Sequence, residues 1–131
     1  MRRLTAATLL FGLTLFLGVA CGKTQHLQGR NLYLEHCANC HFETGDGLQR
    51  LMPPLAGSDY LRDRPREVVR GIRYGMKGPI EVNGVIYDEA MPANPELSEF
   101  QIVNIVNYLN HAWGNDYGTV TVVEVRAWLA E

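Results

Sequence analysis

The segment Cys37-Ala38-Asn39-Cys40-His41 constrains the fold of the whole chain. Two thiols three residues apart, followed directly by an imidazole, have the spacing of covalent haem attachment. On a helical turn, positions i, i+3 and i+4 project from one face. Both sulfurs can therefore reach one porphyrin while the His41 ring lies under its iron. The motif predicts a chain that folds around one haem c bound to Cys37 and Cys40.

Two other functions of a Cys-x-x-Cys pair fit this chain less well. A structural zinc site needs four ligands, usually from two such pairs, and Cys21 is the only further cysteine in the sequence. A thioredoxin-like redox pair is expected within a βαβ unit and does not need the histidine that follows. Haem attachment therefore stays the prediction.

The N-terminus has the pattern of an export signal. Met1-Arg2-Arg3 is basic, and an apolar run follows from Leu4 to Ala20. The run is slightly short for a membrane-spanning helix and is interrupted by threonines, so a permanent transmembrane anchor is not favoured. We assign residues 1–20 to an export signal of lipoprotein type.

Cleavage after residue 20 has two interpretations. Leu17-Gly18-Val19-Ala20-Cys21 is similar to a bacterial lipobox, although Gly18 stands where that pattern usually has leucine. In that case Cys21 is acylated and becomes the mature N-terminus, and residues 21–28 form a polar tether to the membrane. Gly18 and Ala20 also fit ordinary signal peptidase, which would give a soluble periplasmic protein with an unpaired thiol. We favour lipidation at Cys21.

The charge balance argues against nucleic acid as a partner. The formal charge is −2, and loss of residues 1–20 removes Arg2 and Arg3, which brings it to −4. Proteins that bind nucleic acid carry a basic surface. Five arginines do cluster between residues 62 and 73. We interpret them as a solvated helix face balanced by Asp63 and Glu67, and the alternative is a docking patch or a partner for a haem propionate.

The remaining pattern is mainly helical. A helix is predicted before the haem motif, and a second one over Arg64–Tyr74 with Asp63 as N-cap. A third begins at Ser98, which forms a capping box with Gln101, and its helical repeat runs to Trp113. A fourth is predicted over Thr121–Leu129. Leu51–Tyr60, with Pro53, Pro54 and Gly57, is predicted as a loop at the haem edge. In residues 80–87, Asn83-Gly84 lies between apolar residues, which is typical of a β-hairpin. The predicted fold class is all-α with this small hairpin insert.

The second axial ligand of the iron decides what the site does, since an open position binds small ligands and a filled one favours electron transfer. Met91 precedes Pro92 in an irregular segment, where a thioether can point inward without belonging to a helical stripe. Met76, which follows Gly75 just after a helix, is the second choice. The candidates that their positions favour less are Met52, His26, His36 and His111.

Over about residues 27–115 the chain resembles a class I monohaem c-type cytochrome. The matching residues are Gly29 and Tyr33 before the haem motif, Pro53-Pro54-Leu55-Ala56-Gly57 after it, and Tyr108 in the last helix of the pattern. The resemblance implies that residues 29–115 form the cytochrome c domain. Residues 116–131 are then a C-terminal extension, which we expect to form a short helix.

The resemblance also implies the ligands. His41 and Met91 would hold the iron, and the Pro53 carbonyl would accept a hydrogen bond from the His41 ring, which fixes the tautomer of that ring. A mostly apolar shell is expected around the haem, formed by Leu55, Tyr60, Val68, Ile72, Ile102 and Val106.

The function that follows is electron transfer rather than catalysis. We predict a monomeric, periplasmic single-electron carrier between a redox donor and a redox acceptor. Because Tyr74–Asn94 also resembles cytochrome domains attached to periplasmic reductases and dehydrogenases, the alternative is a haem-bearing subunit of a larger oxidase, reductase or dehydrogenase. A small haem peroxidase is less favoured, since Asp88 and Glu89 do not make a convincing acid–base pair beside Met91.

Overall fold

The computed structural model describes residues 26–131. In that range the chain forms six helices and one hairpin: α1 (Leu27–His36), α2 (Ala38–His41), α3 (Asp59–Asp63), α4 (Pro65–Tyr74), β1 (Ile80–Val82), β2 (Val85–Tyr87), α5 (Glu99–His111) and α6 (Val122–Ala130). This is the predicted mainly helical class with a small hairpin. The predicted export signal over residues 1–20, the predicted lipidation site Cys21 and most of the predicted tether over residues 21–28 lie outside the described residues. None of the helices within residues 26–131 is long and apolar enough to cross a membrane.

The crossing of α1 and α5 forms the centre of the core. A Cβ atom on Gly29 would lie 2.8 Å from Tyr108 Cβ and would also overlap the Asn104 carbonyl, so glycine lets the two helices approach closely. One turn further along α1, Tyr33 is fully buried. Its ring packs against Tyr108 and Trp113, with ring centroids 5.4 and 5.2 Å away.

Side-chain caps fix the start of α5 and α6. Ser98 and Gln101 form the predicted capping box at α5, and Thr121 and Glu124 form a second one at α6. The expected N-cap of α4 was wrong: Asp63 ends α3, and Arg64 takes the N-cap position without a side-chain hydrogen bond. Pro65 occupies the first turn of α4, where its missing N–H costs nothing.

The ends of two other predicted segments also differ from the sequence pattern. The irregular segment after the haem motif stops at Ser58, whose hydroxyl accepts a hydrogen bond from Leu61 N at 3.1 Å and so caps α3. The predicted loop therefore includes the start of a helix. Helix α5 ends at His111, and Trp113 lies outside it with a φ of 54°.

The hairpin has the predicted tight turn. Asn83 and Gly84 have φ values of 50° and 76°, and a type I′ turn requires positive φ at both positions. Val82 pairs with Val85 across the turn. The Asn83 amide donates to the Asp59 carboxylate at 2.8 Å, and the Asp59 amide donates to Asn83 Oδ1 at 3.1 Å. These two bonds tie the hairpin to α3.

Candidate haem-binding site

An apolar cleft opens beside the α1–α5 crossing. With the open space at its mouth included, it encloses about 810 Å³. Its walls come from the Cys-x-x-Cys-His motif, the loop with Pro53 and Pro54, α3, α4, the hairpin, the segment after Met91, and α5. Most of the lining side chains are aliphatic. A large, flat, mostly apolar cofactor fits such a space.

The attachment motif lies on a break between two helices. Helix α1 ends at His36, Cys37 has φ −124° and ψ −36°, and the short α2 carries Cys40 and His41. The His41 amide donates to the Cys37 carbonyl at 3.0 Å, so Cys37 and His41 stay one helical turn apart. Both cysteines are free thiols and, with His41, line the cleft. This donor set suits covalent attachment of a porphyrin.

The geometry of His41 fixes its tautomer. The ring is buried, and its Nδ1 atom lies 3.0 Å from the Pro53 carbonyl oxygen. A carbonyl only accepts, so Nδ1 must carry the proton and Nε2 keeps its lone pair. Burial lowers the pKa of His41, and the weaker effect of the Pro53 bond opposes this. The ring is therefore neutral at physiological pH, as metal ligation requires.

Two methionines face the same cleft. Met91 packs against the core, and both Met91 and Met76 line the cleft wall. Their backbones form an isolated antiparallel bridge, in which each amide donates to the other carbonyl at 3.0 Å. Met52 lines only the adjoining pocket of the cleft. Both thioether candidates favoured from the sequence thus lie at the site.

The histidines separate into two groups. His36 is half-buried and lines the cleft, with Nδ1 3.9 Å from the Glu96 carboxylate. His26 and His111 instead stack on each other, with ring centroids 4.8 Å apart, and neither belongs to the cleft lining.

The expected apolar shell is correct in part. Leu55, Tyr60, Val68 and Ile72 line the cleft. Ile102 and Val106 are fully buried in the core but do not line it, and α5 presents Ile105 and Leu109 instead. Helical periodicity identified the apolar stripe of α5 without showing which of its residues would face the cofactor.

Asn115 is a residue that the sequence pattern marked only as the end of a helix. It is buried, and its Oδ1 accepts a hydrogen bond from Gly57 N at 2.8 Å. Its Nδ2 donates to the Leu55 carbonyl at 3.0 Å and to the Leu109 carbonyl at 2.8 Å. Asn115 therefore holds the loop that carries Pro53 against the end of α5. No local signal predicts the contact with this loop, because Leu55 and Gly57 lie 60 and 58 residues away in the sequence.

The sequence is similar to those of known proteins. Residues 24–109 match the family model described as cytochrome c oxidase, cbb3-type, subunit III. The chain is 33% identical over 119 residues to a cytochrome c-552 of Thermus thermophilus, an alignment that covers 88% of this chain and 74% of that protein. The chain belongs to the c-type cytochromes. Its cofactor is haem c, and it functions in electron transfer.

This cytochrome is also similar to part of a larger protein. It is 36% identical over 110 residues to the cytochrome c subunit of the quinone alcohol dehydrogenase of Komagataeibacter europaeus, and 33% identical over 101 residues to that of Gluconobacter oxydans. These alignments cover 82% and 75% of this chain but only 23% and 21% of the relatives. The chain thus spans less than a quarter of the length of these subunits.

Proposed function

We propose that this cytochrome is a single-electron carrier in which Cys37 and Cys40 would bind haem covalently and His41 and Met91 would ligate its iron. The observation that carries the proposal is the orientation of His41. Its Nδ1 lies 3.0 Å from the Pro53 carbonyl oxygen, to which it donates, so Nε2 keeps its lone pair. The ring lines the same cleft as Met91. When bound, haem supplies a one-electron iron couple, and the protein supplies the ligands and their surroundings.

The chain's own residues favour the reduced state. A thioether is a weak donor, so Met91 stabilises ferrous iron and raises the reduction potential relative to a second histidine. Aliphatic side chains such as Leu55, Val68 and Ile72 line the cleft and exclude water. They disfavour the extra positive charge of the oxidised site, because a low local dielectric penalises charge. The Pro53 bond acts in the opposite direction by making His41 a better donor.

A peroxidase finds little support in the cleft. Such an enzyme needs acid–base groups close to an open iron position. Within the described residues, no carboxylate lines the main cleft. Glu89 borders the adjoining pocket, but it is exposed, as is Asp88.

The absorption spectrum of the oxidised protein tests the axial ligand. Methionine bound to ferric iron gives a sulfur-to-iron charge-transfer band, and we expect Met91→Ala to abolish it while haem stays attached through Cys37 and Cys40. Asn39→Ala, an exposed change inside the motif, is the control and should keep the band. An unchanged spectrum in Met91→Ala would transfer the ligand role to Met76.

We further propose that the mature protein is monomeric and lies on the periplasmic side of a bacterial membrane, anchored by a lipid on Cys21. Support comes from the sequence of residues 1–21. The mass of the mature N-terminal peptide distinguishes acylation from simple cleavage. With acylation, Cys21→Ser should move the protein from the membrane fraction to the soluble fraction. An unmodified Cys21 peptide would support the soluble alternative.

Its partners are proposed to be a redox donor and a redox acceptor. A second candidate is a subunit role in a dehydrogenase, which the similarity to the quinone alcohol dehydrogenase cytochrome subunits favours. Purification in mild detergent separates the two: a carrier is recovered alone, and a subunit is recovered with a dehydrogenase in fixed ratio.

A further inference from the structure

Met76 and Met91 are a directly opposed pair. Because each backbone amide donates to the other carbonyl, they occupy a hydrogen-bonded position of an antiparallel ladder. Side chains of such a pair project from the same face, with Cβ atoms roughly 5 Å apart. Both side chains accordingly line the same cleft. The function proposed above uses Met91 and gives Met76 no task.

The backbone of the Met91 segment is fastened to the end of α4. The Ile72 carbonyl accepts hydrogen bonds from Asn94 N at 3.0 Å and from Asn94 Nδ2 at 3.2 Å. A Cβ atom at Gly75 would lie only 2.7 Å from the Met91 carbonyl oxygen. These contacts fix the main chain, but a methionine side chain has three rotatable bonds. The direction of the Met91 thioether must therefore be set by side-chain packing.

Gly71 provides a place for the second methionine. It is buried inside α4, and its φ is not positive, so the helix itself does not require glycine there. A Cβ atom at this position would lie 2.6 Å from Met76 Sδ and 2.7 Å from Met76 Cγ. The Met76 thioether thus occupies the space that a side chain at position 71 would need.

We propose that Met76, seated on Gly71, is a positioning residue that keeps the Met91 side chain directed into the cleft. The inference rests on the proposed ligation by Met91. Met76 takes up volume beside its cross-strand partner, and this packing restricts the rotamers that Met91 can adopt. Gly71 is the residue of α4 that leaves space for the Met76 side chain.

Gly71→Ala is the sharpest test, because alanine is the better helix former and the atoms that must move belong to the Met76 side chain, from Cγ outward, and not to the backbone. The measurement is the imidazole affinity of the oxidised haem-loaded protein, which reports how readily Met91 is displaced, together with the intensity of the charge-transfer band. We expect Gly71→Ala and Met76→Ala to bind imidazole about tenfold more tightly, as is typical when a residue that orients a ligand is lost. Met76→Leu keeps the volume without the sulfur, and should restore the affinity to within about twofold of the parent protein.

The outcomes separate the two proposals. If Met91→Ala abolishes the band while Gly71→Ala and Met76→Ala leave both the band and the imidazole affinity unchanged, the positioning role is wrong and ligation by Met91 stands. If the band survives in Met91→Ala and disappears in Met76→Leu, Met76 is itself the ligand and both proposals are overturned. Thermal unfolding of Gly71→Ala serves as the control for folding. If the thermal unfolding midpoint of Gly71→Ala is at or above that of the parent protein, the weaker charge-transfer band reflects a change at the haem site and not a loss of folding.

Discussion

Gly29 shows how much of this fold depends on the absence of one side chain. It lies where α1 crosses α5, and a Cβ atom there would be 2.8 Å from Tyr108 Cβ and in collision with the Asn104 carbonyl. A backbone carbonyl in the middle of α5 cannot rotate away as a side chain can. Any substitution must therefore push the helices apart. The same crossing positions Tyr33 and, four residues later, Cys37, so the effect reaches the attachment motif.

Gly29→Ala should accordingly lower the free energy of unfolding of the haem-loaded protein by about 3 kcal/mol, the upper part of the usual range for overpacking a core. Denaturant unfolding followed by far-ultraviolet circular dichroism measures the change. Arg30→Ala, the next position on the same helix, is exposed and should change stability by less than about 0.5 kcal/mol. Equal changes in the free energy of unfolding for the two variants would show that the crossing of α1 and α5 can accommodate a Cβ atom at position 29.

Asn115 and Gly71 illustrate at this scale why sequence reasoning stops short of the complete site. Cys37, Cys40 and His41 form a contiguous motif whose chemistry can be recognised from spacing alone. Asn115 acts on Leu55 and Gly57, which lie about sixty residues away, through hydrogen bonds that no local pattern encodes. Gly71 matters only because Met76 folds back over it. Roles that depend on a distant partner become visible only in the folded chain.

Among the elements, α6 explains the arginine-rich stretch around α4. Arg66 pairs with the Glu131 carboxylate at 3.0 Å. Arg70 donates to the Trp128 carbonyl at 2.9 Å, and the Tyr74 hydroxyl donates to the Leu129 carbonyl at 2.8 Å. The last carbonyls of a helix lack partners within the helix, and these side chains supply them. Part of the arginine-rich face thus fastens the C-terminal helix instead of being simply solvated.

The other arginines of this stretch also have partners inside the molecule. Arg62 pairs with Asp63 at 2.8 Å, and Arg64 lies over the Tyr60 ring, 5.5 Å from its centroid. Arg73 donates to the Pro95 carbonyl at 3.2 Å, next to the segment that carries Met91. Exposed ion pairs of this kind contribute little to stability individually, so the main anchor of α6 must be apolar.

That anchor is Val125, which is fully buried, whereas Val123 on the same helix is 69% exposed. We expect Val125→Ala to lower the free energy of unfolding by about 2 kcal/mol, because it leaves a cavity in the core. Val123→Ala is a matched control for helix propensity and should change stability by less than about 0.5 kcal/mol. Denaturant unfolding of the two variants side by side gives the comparison. Similar changes in the free energy of unfolding for both variants would mean that α6 contributes little to the stability of the core.

The start of α1 is held against the end of α5 by the stacked rings of His26 and His111. Burial, and to a lesser extent the charge on His111, lowers the pKa of His26 from 6.5. The folded chain thus binds the proton less well than the unfolded chain does. The contribution of the pair is therefore complete above the unfolded-state pKa and is lost as the pH falls through the lower folded-state value.

Hydrogen exchange at the Arg30 amide reports on this pair, because that amide donates to the His26 carbonyl at 2.9 Å in the first turn of α1. Its protection factor, corrected for intrinsic exchange, should fall between about pH 7.5 and about pH 5. The fall should be absent in His26→Gln, which removes the titrating group and keeps the backbone carbonyl that Arg30 N contacts. The same pH dependence in that variant would assign the effect to another titrating group.

The elements that the sequence predicted best are those with signals a few residues long. Asn83-Gly84 marks the hairpin turn, and Ser98 with Gln101 marks the start of α5; each acts on its immediate neighbours. The break at Cys37 was not predicted, because helical spacing continues through it in the sequence. The short helix α3 was not predicted, because prolines precede it. Ser58 does supply a local N-cap for α3, whereas Cys37 lies in the lining of the cofactor cleft.

At the scale of the whole molecule, the cleft makes the haem a structural component as well as a redox group. Its walls include residues from α3, α4, α5 and the hairpin, so most elements meet around it. Without haem, the apolar side chains that line the cleft, among them Leu61, Ile72 and Ile105, would lose the surface that buries them and would face water.

The double variant Cys37→Ala/Cys40→Ala, which blocks covalent attachment, should therefore remain largely unfolded. We expect reduced helical circular dichroism at low temperature and no cooperative thermal transition, because α3, α4 and the hairpin lose the surface against which they pack. Asn39→Ala alters the same motif at an exposed position, and should retain haem and unfold cooperatively. A sharp thermal transition in the double variant, measured without bound haem, would instead show that the packing of α1, α5 and α6 around Tyr33 and Val125 suffices to hold the fold. The cofactor would then be an occupant of a preformed site rather than part of the core.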